Sequence, residues 1–391
     1  MQHESQLIEW EEDGHLFQAL WQSANHAPKP KRFFIGDDTL TADKAYRLAC
    51  EGTAIIWRGD FQNAKQLLQA MSRRLPNSRK AKNSAGSNKS NETSTSMDGS
   101  VFHLHRRDQV HRSRILGMLL IPVTTGLEIP LRRAPDVKEA LQGALQTNQL
   151  TAQVALIIMS LKELLGVIGA HQWRKNGVEI PSLGTKIYPH YGVYSPVRGE
   201  YLELLAKAPL PTQELAFDIG TGSGVIAALL AKRGIKKIVA TDISAQALQC
   251  ARENLERLDL LKQIDLLEVN LFPTGRAGLI VCNPPWLPAK PSSAIESAIY
   301  DPDSQMLKAF LKSVGQHLTD TGEAWLIMSD LAEHLGLRTH KQLWDWITEA
   351  GLHVVGKLDI RPKHGKSSDK EDTLHEARKK EITSLWRLRV L

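Results

Sequence analysis

Residues 215–231 restrict the fold of this chain more than any other stretch. Leu215-Ala216-Phe217-Asp218-Ile219 reads as a buried strand, Gly220-Thr221-Gly222-Ser223-Gly224 as a tight loop, and Val225 to Ala231 as a helix. Glycines at alternate positions let the backbone come close to a ligand, and the helix that follows turns its free amide groups toward it. A dinucleotide-binding loop of the form Gly-x-Gly-x-x-Gly would need glycine where Val225 stands, which argues against a nicotinamide cofactor. Lys237-Ile238-Val239-Ala240-Thr241-Asp242 is a second strand, and it ends in an acid placed to accept from ribose hydroxyls. A nucleoside-bearing cofactor is implied.

From residue 215 onward strands and helices alternate. The apolar runs predict further strands over 264–269, 278–282, 324–328, 353–358 and 385–390, and helices over 245–258, 304–318 and 341–350. Alternation of this kind gives an α/β fold with a doubly wound, mostly parallel sheet.

The strand over 278–282 runs into Asn283-Pro284-Pro285-Trp286. Two successive prolines remove two donors and push the residues before them out of the helical region, so the chain here must be extended. An extended backbone can aim the side-chain oxygen of Asn283 and the carbonyl of Pro284 into one cleft. There both accept from a single NH2 group while Trp286 offers a flat face. The competing reading is an edge strand closed by a Pro-Pro turn with Trp286 in the core. The order of the segments, with the glycine loop and Asp242 upstream, favours the binding pocket.

Asp218 to Gly224, then Asp242, then Asn283-Pro284-Pro285-Trp286, resemble the ordered motifs of class I S-adenosylmethionine-dependent N-methyltransferases. Within that superfamily they are most similar to the small-domain group that includes the HemK-like release-factor glutamine methyltransferases and several ribosomal RNA amine methyltransferases. A looser likeness reaches back through His171-Gln172-Trp173 and Val178-Glu179-Ile180 to Gly192 to Glu200, which resembles the hairpin and Pro-Arg segment preceding the HemK-like catalytic domain. The resemblance covers roughly residues 171–391. It implies S-adenosylmethionine as cofactor, a Rossmann-like seven-stranded sheet with its last strand antiparallel, and cofactor contacts from Asp218, Gly220, Gly222, Gly224, Asp242, Ile243, Asn270 and Asn283. Asn283, Pro284 and Trp286 are then the catalytic positions, and Pro285, Trp286, Glu200 and Arg198 the acceptor side. Three departures stand out. Asn270 occupies the place where family members commonly carry an acid for the adenine amine, Trp286 replaces the tyrosine usual in enzymes acting on glutamine, and Arg198 follows an inserted Val197 with no threonine after it.

The rest of the chain sets bounds. At 391 residues, with 42% hydrophobic and 24% charged content, two domains are expected. Residues 1–75 read as a mostly helical module in which Asp60 caps a helix over 60–75. Residues 76–100, rich in Ser, Asn, Lys and Thr, read as a disordered linker. Residues 101–190 read as an α+β accessory region, with a hairpin around Thr124-Thr125-Gly126, an amphipathic helix over 154–168 and a second hairpin turning at Asn176-Gly177. Residues 191–391 form the catalytic domain. The start of the chain is not basic and no apolar run reaches the roughly 18 residues of a span, so the expectation is a cytoplasmic protein without a membrane contact. Cys50, Cys250 and Cys282 follow no ligand spacing, and no metal is expected. A net charge of +6 permits an acidic partner. The cation-dense run from His103 to Arg114 reads either as a phosphate contact or as a solvated basic face, and the charged run over 361–380 as a solvated loop or a substrate contact.

The sequence therefore predicts transfer of a methyl group to a planar amine. The HemK-like resemblance implies a glutamine side-chain amide of a release factor or ribosomal protein as the acceptor. The alternatives are an exocyclic base amine (adenine N6 or guanine N2) in RNA or DNA, and a non-catalytic binding module with the same fold. The oligomeric state is not encoded in any pattern.

Overall fold

The structure, a computed structural model, describes residues 6–23, 27–75, 99–145, 156–196, 199–293, 295–362 and 373–391. The chain divides into two compact units, residues 1–93 with 103–172, and residues 94–102 with 173–391.

The first unit is built on a six-stranded sheet of β1 (Leu7–Glu12), β2 (His15–Gln22), β3 (Arg32–Gly36), β4 (Thr53–Trp57), β5 (Leu119–Thr124) and β6 (Leu156–Ser160), ordered β1-β2-β6-β5-β4-β3. Parallel pairing of β3 with β4 and of β4 with β5 is made through helices Ala42–Cys50 and Phe61–Arg74. Asp60 caps the second of these, its side chain accepting from Gln62 N at 2.8 Å. Residues 1–75 are thus an α/β segment with four strands, not a mostly helical module. The alternation in β1 and β2, with Trp10 buried between exposed Glu9 and Glu11 and Trp21 buried between half-buried Leu20 and Gln22, is a period-two signal that helical spacing obscures.

Three local expectations give way. No hairpin forms at Thr124-Thr125-Gly126, because β5 pairs with β6 and residues 127–131 remain irregular. The apolar run at 156–160 is a buried strand, and the helix begins after it as Leu161–Asn176. A short run apolar on all sides does not distinguish the two by periodicity. Asn176-Gly177 ends that helix, with Gly177 at φ +70° in the left-handed conformation a C-terminal cap needs. The hairpin sits further on, between β7 (Val178–Ile180) and β8 (Thr185–Ile187). The proposed linker over 76–100 falls almost wholly outside the described residues. The basic run from His103 lies on helix Ser100–Leu116.

The second unit carries a seven-stranded sheet of β9 (Leu215–Ile219), β10 (Lys237–Asp242), β11 (Ile264–Glu268), β12 (Ala277–Cys282), β13 (Leu318–Ser329), β14 (Leu352–Ile360) and β15 (Thr383–Val390). Its order is β11-β10-β9-β12-β13-β15-β14. The first five pair in parallel and β15 runs antiparallel between β13 and β14. Both faces are covered, as a parallel sheet requires. Ala216, Leu279, Val281, Trp325 and Ile327 belong to one core cluster, and Phe217, Ile219, Ile280, Cys282 and Leu326 to the other. Among the described residues no helix is long and apolar enough to cross a membrane.

The antiparallel strand is tied in by a buried charge cluster. Glu323 on β13 accepts from Arg387 Nε and Nη2 at 2.8 Å each, from Arg389 Nη2 at 3.0 Å and from Trp325 Nε1 at 3.0 Å. Burial works against its ionisation, and the hydrogen bonds and charge of Arg387 outweigh it, holding the carboxyl below its ordinary value. Replacing Glu323 by Ala removes the acceptor of two guanidinium groups that solvent can reach, and is expected to destabilise the protein by about 1.5–3 kcal/mol. Urea unfolding followed by tryptophan fluorescence checks this, and a loss under about 1 kcal/mol would contradict it.

Candidate active site

The loop between β9 and helix Val225–Lys232 is shaped by its glycines. Gly220, Gly222 and Gly224 have φ of +72°, +56° and +81°, a region closed to most side chains. A methyl group on Gly224 would stand 3.2 Å from Ala251, whereas one on Gly222 would meet nothing within 4 Å. The first glycine of that pair serves close packing, and the second leaves open space beside backbone amides.

Asp218, fully buried at the end of β9, uses one oxygen for structure. Its Oδ2 accepts from Thr221 Oγ1 at 2.7 Å and from Ala227 N at 3.0 Å, which fixes the loop and the first turn of the helix. Its Oδ1 has no partner among the described residues. Burial raises the Asp218 carboxyl to about 7, against the two hydrogen bonds and with a contribution from Asp242. A buried acid with a spare oxygen next to an open glycine loop is a site for a cation.

Half-buried Asp242, at the end of β10, accepts from Gly222 N at 3.0 Å and from Ser244 N at 2.9 Å. Each carboxylate oxygen retains a second lone pair, so hydroxyl groups can still be bound there. Beside it Ile243 is 72% exposed, an apolar surface suited to a base. Asn270 is exposed just beyond β11, where Val269 N donates to Asp242 O at 3.2 Å and so brings the two loops together.

Asn283, Pro284, Pro285 and Trp286 leave the same end of the sheet from β12. Asn283 Oδ1 accepts from Trp286 Nε1 at 2.9 Å. The sequence suggested a stacking face for Trp286. In the structure its indole N–H also fixes the rotamer and orientation of Asn283, and its rings pack between the two core clusters. One lone pair of Asn283 Oδ1 remains for an acceptor. The chain then returns. Leu287 pairs with Tyr300, and Asp301 accepts from Met306 N and Leu307 N at 3.0 and 3.1 Å, capping helix Gln305–His317. The Met306 methyl lies 3.3 Å from where a side chain on Gly220 would begin, so this helix closes on the glycine loop.

Glu200 is buried at the start of helix Glu200–Lys207, and with Tyr194 and Asp218 it is close enough to act on the ionisation of Tyr201, which burial foremost drives far up. Arg198 lies outside the described residues. Two supports, buried Asn254 and half-buried Glu253, had no signature in the sequence. Asn254 accepts from Tyr188 N at 2.8 Å and donates to Ser223 O at 3.0 Å, joining the segment before Glu200 to the glycine loop. Glu253 binds His190 Nε2 at 2.9 Å and Arg174 Nη2 at 2.8 Å. Burial opposes ionisation of Glu253, yet hydrogen bonds from His190 and Gln249 and the neighbouring charges hold it down at about 2.

These residues fit S-adenosylmethionine. The orphaned Asp218 oxygen suits its ammonium group, the space at Gly222 its backbone-proximal part, Asp242 its ribose and Ile243 its base. A family model of the methyltransferase small domain matches residues 186–342. A putative protein N5-glutamine methyltransferase of Methanocaldococcus jannaschii is 30% identical over 162 residues, 39% of this chain and 80% of that protein. The chain belongs to the small-domain methyltransferases. Their cofactor is S-adenosylmethionine. Among further relatives in this family, a release factor glutamine methyltransferase of Koribacter versatilis is 30% identical over 158 residues, 37% of this chain and 55% of that protein. A transfer-RNA adenine-N6-methyltransferase of Shewanella loihica is 29% identical over 144 residues, 34% of this chain and 59% of that protein. The chain thus spans about half the length of these last two relatives.

We propose that the unpartnered Asp218 oxygen takes the ammonium group of the cofactor, which makes cofactor binding depend on pH. Only the ionised carboxylate attracts the ammonium group, and with the carboxyl at about 7 in the free protein the ionised fraction falls as pH drops. Calorimetric affinity for S-adenosylmethionine is expected to weaken about tenfold from pH 8 to pH 6. Asp218→Asn should bind weakly with no such slope, and a flat profile in the unsubstituted protein would contradict the assignment.

Proposed function

We propose that this protein methylates the side-chain amide nitrogen of a glutamine in a protein substrate of the release-factor type. The observation that carries the reading is the Asn283 side chain, held by Trp286 at the end of β12 beside the glycine loop. The names of the Methanocaldococcus and Koribacter relatives support the choice of acceptor.

An amide nitrogen is a weak nucleophile because its lone pair is delocalised, and no side chain is basic enough to deprotonate it beforehand. When bound, S-adenosylmethionine supplies an electrophilic methyl group. Asn283 Oδ1 and the Pro284 carbonyl accept the two hydrogens of the NH2 group, favour a more pyramidal nitrogen and aim its lone pair. As the N–C bond forms, the methyl–sulfur bond breaks and leaves a neutral thioether; the nitrogen, made acidic, then gives up one hydrogen as a proton to solvent. Positioning carries the rate, so no His or Glu base is required. Trp286 keeps the acceptor oxygen from rotating away, and Asp218 and Asp242 hold the cofactor on the other side.

A nucleobase amine presents the same two hydrogens. The Shewanella relative and the exposed His103, Arg107, His111 and Arg114 on helix Ser100–Leu116 favour RNA as a second reading. The two separate on one measurement. Tritiated methyl groups from S-adenosylmethionine are expected to enter a release factor and to resist RNase, while Asn283→Ala lowers the rate by at least about a hundredfold with cofactor affinity unchanged. Label lost to RNase would overturn the glutamine reading, and equal loss of cofactor binding would overturn the role of Asn283.

A further inference from the structure

Residues 188–193, between β8 and helix Glu200–Lys207, are fastened along one helix beside the glycine loop. Gly192, at φ +78°, takes the third place of a tight turn closed by Val193 N, which donates to His190 O at 3.2 Å. The segment lies on helix Ala245–Arg257, whose N-cap residue Ser244 donates its backbone N–H to Asp242 at 2.9 Å. Tyr188 N donates to Asn254 Oδ1 at 2.8 Å, His190 N to Cys250 Sγ at 3.4 Å, and Gln246 Nε2 to Tyr191 O at 2.8 Å. Val193 packs with Ala247 and Cys250. Asn254, Cys250 and Gln246 are one helical turn apart, so the segment runs down one face of the helix toward Asp242.

The same helix supports the glycine loop. Ala251 stands 3.2 Å from where a side chain on Gly224 would begin, and Asn254 Nδ2 donates to Ser223 O at 3.0 Å. Asn254 therefore bonds to the loop and to the segment at once. A second side chain fixes the turn itself. The His190 ring is buried, and its Nε2 lies 2.9 Å from Glu253 Oε2. Glu253 also binds Arg174 and Gln249 and stays ionised, so its oxygens only accept and His190 Nε2 must carry the hydrogen. A neutral N–H on a carboxylate is among the stronger hydrogen bonds a side chain makes.

We propose that His190 and Gln246 are positioning residues for S-adenosylmethionine. They hold the turn 190–193 against helix Ala245–Arg257, where it closes the cofactor site on the side of Asp242 and slows release of the bound cofactor. The inference rests on cofactor binding at the glycine loop and Asp242, and it is independent of the acceptor.

The test measures release of tritiated S-adenosylmethionine chased with unlabelled cofactor, together with an equilibrium titration that gives affinity and the number of sites. His190→Ala should speed release about tenfold, the worth of one hydrogen bond to a charged group, and weaken affinity to the same extent, so that the association rate is unchanged. His190→Gln, whose amide N–H replaces the ring N–H toward Glu253, should return the release rate to within about threefold of the unsubstituted protein. Gln246→Ala, at a half-buried position, should speed release about threefold or more. Unchanged release from His190→Ala and Gln246→Ala would overturn the proposal. So would a His190→Ala protein that binds fewer equivalents and releases them at the ordinary rate, the mark of a fold merely weakened. Release from His190→Gln as fast as from His190→Ala would also overturn it. If His190→Ala fails to fold, Gln246→Ala decides. Absence of binding by the unsubstituted protein would refute the cofactor site beneath the proposal, a result distinct from binding that the substitutions leave unchanged.

Discussion

The parallel pairing of β9 with β12 is the constraint on which the site depends. Its register sets Asp218 against Val281 and Ile219 against Cys282, so both strands end level. The glycine loop must then leave one strand next to the point where Asn283 leaves the other. β10 pairs with β9 on the far side, bringing Asp242 within 3.0 Å of Gly222 N. The groups proposed for cofactor and acceptor therefore arise from three adjacent strand ends of one parallel sheet, the position at which such sheets bind ligands. A one-residue slip would turn Asp218 from one face of the sheet to the other and separate these elements.

Much of this was legible because its signals are local. Alternate glycines after a buried strand, an acid at the end of the next strand and two prolines after a third each restrict the backbone within a few residues. The strands and helices beyond residue 215 consequently fall within a few residues of their predicted spans, with β13 starting earliest. Other local signals were ambiguous. Asn176-Gly177 provides a positive φ, which a hairpin turn and a helix terminus both use, and tertiary pairing of β7 with β8 decides between them. The strand Leu156–Ser160 is apolar from Leu156 to Met159, as its place inside a sheet requires, and this removes the periodicity that would identify it. The Trp286–Asn283 bond, the Asn254 bridge and the His190–Glu253 bond depend on rotamers and on partners distant in sequence. No spacing encodes them.

The polar groups beneath the site divide into satisfied and unsatisfied sets. Glu323 and Glu253 are each held by several donors and remain ionised in spite of burial, so they lock a strand pair and a loop in place. Asp218 retains buried capacity that nothing among the described residues uses. Structural carboxylates of the first kind stabilise the frame on which a carboxylate of the second kind is positioned. Groups left unmet in a folded chain call for an explanation, an ordered water or a bound ligand among them.

The central claim is that Trp286 holds Asn283 in the orientation that receives the acceptor NH2 group. Trp286→Phe keeps an aromatic ring and removes the indole donor. Its kcat for a glutamine acceptor is the most direct measurement. The account predicts a fall of about tenfold, the worth of one hydrogen bond that positions a reacting group, with affinity for S-adenosylmethionine unchanged. An unaltered kcat would contradict it.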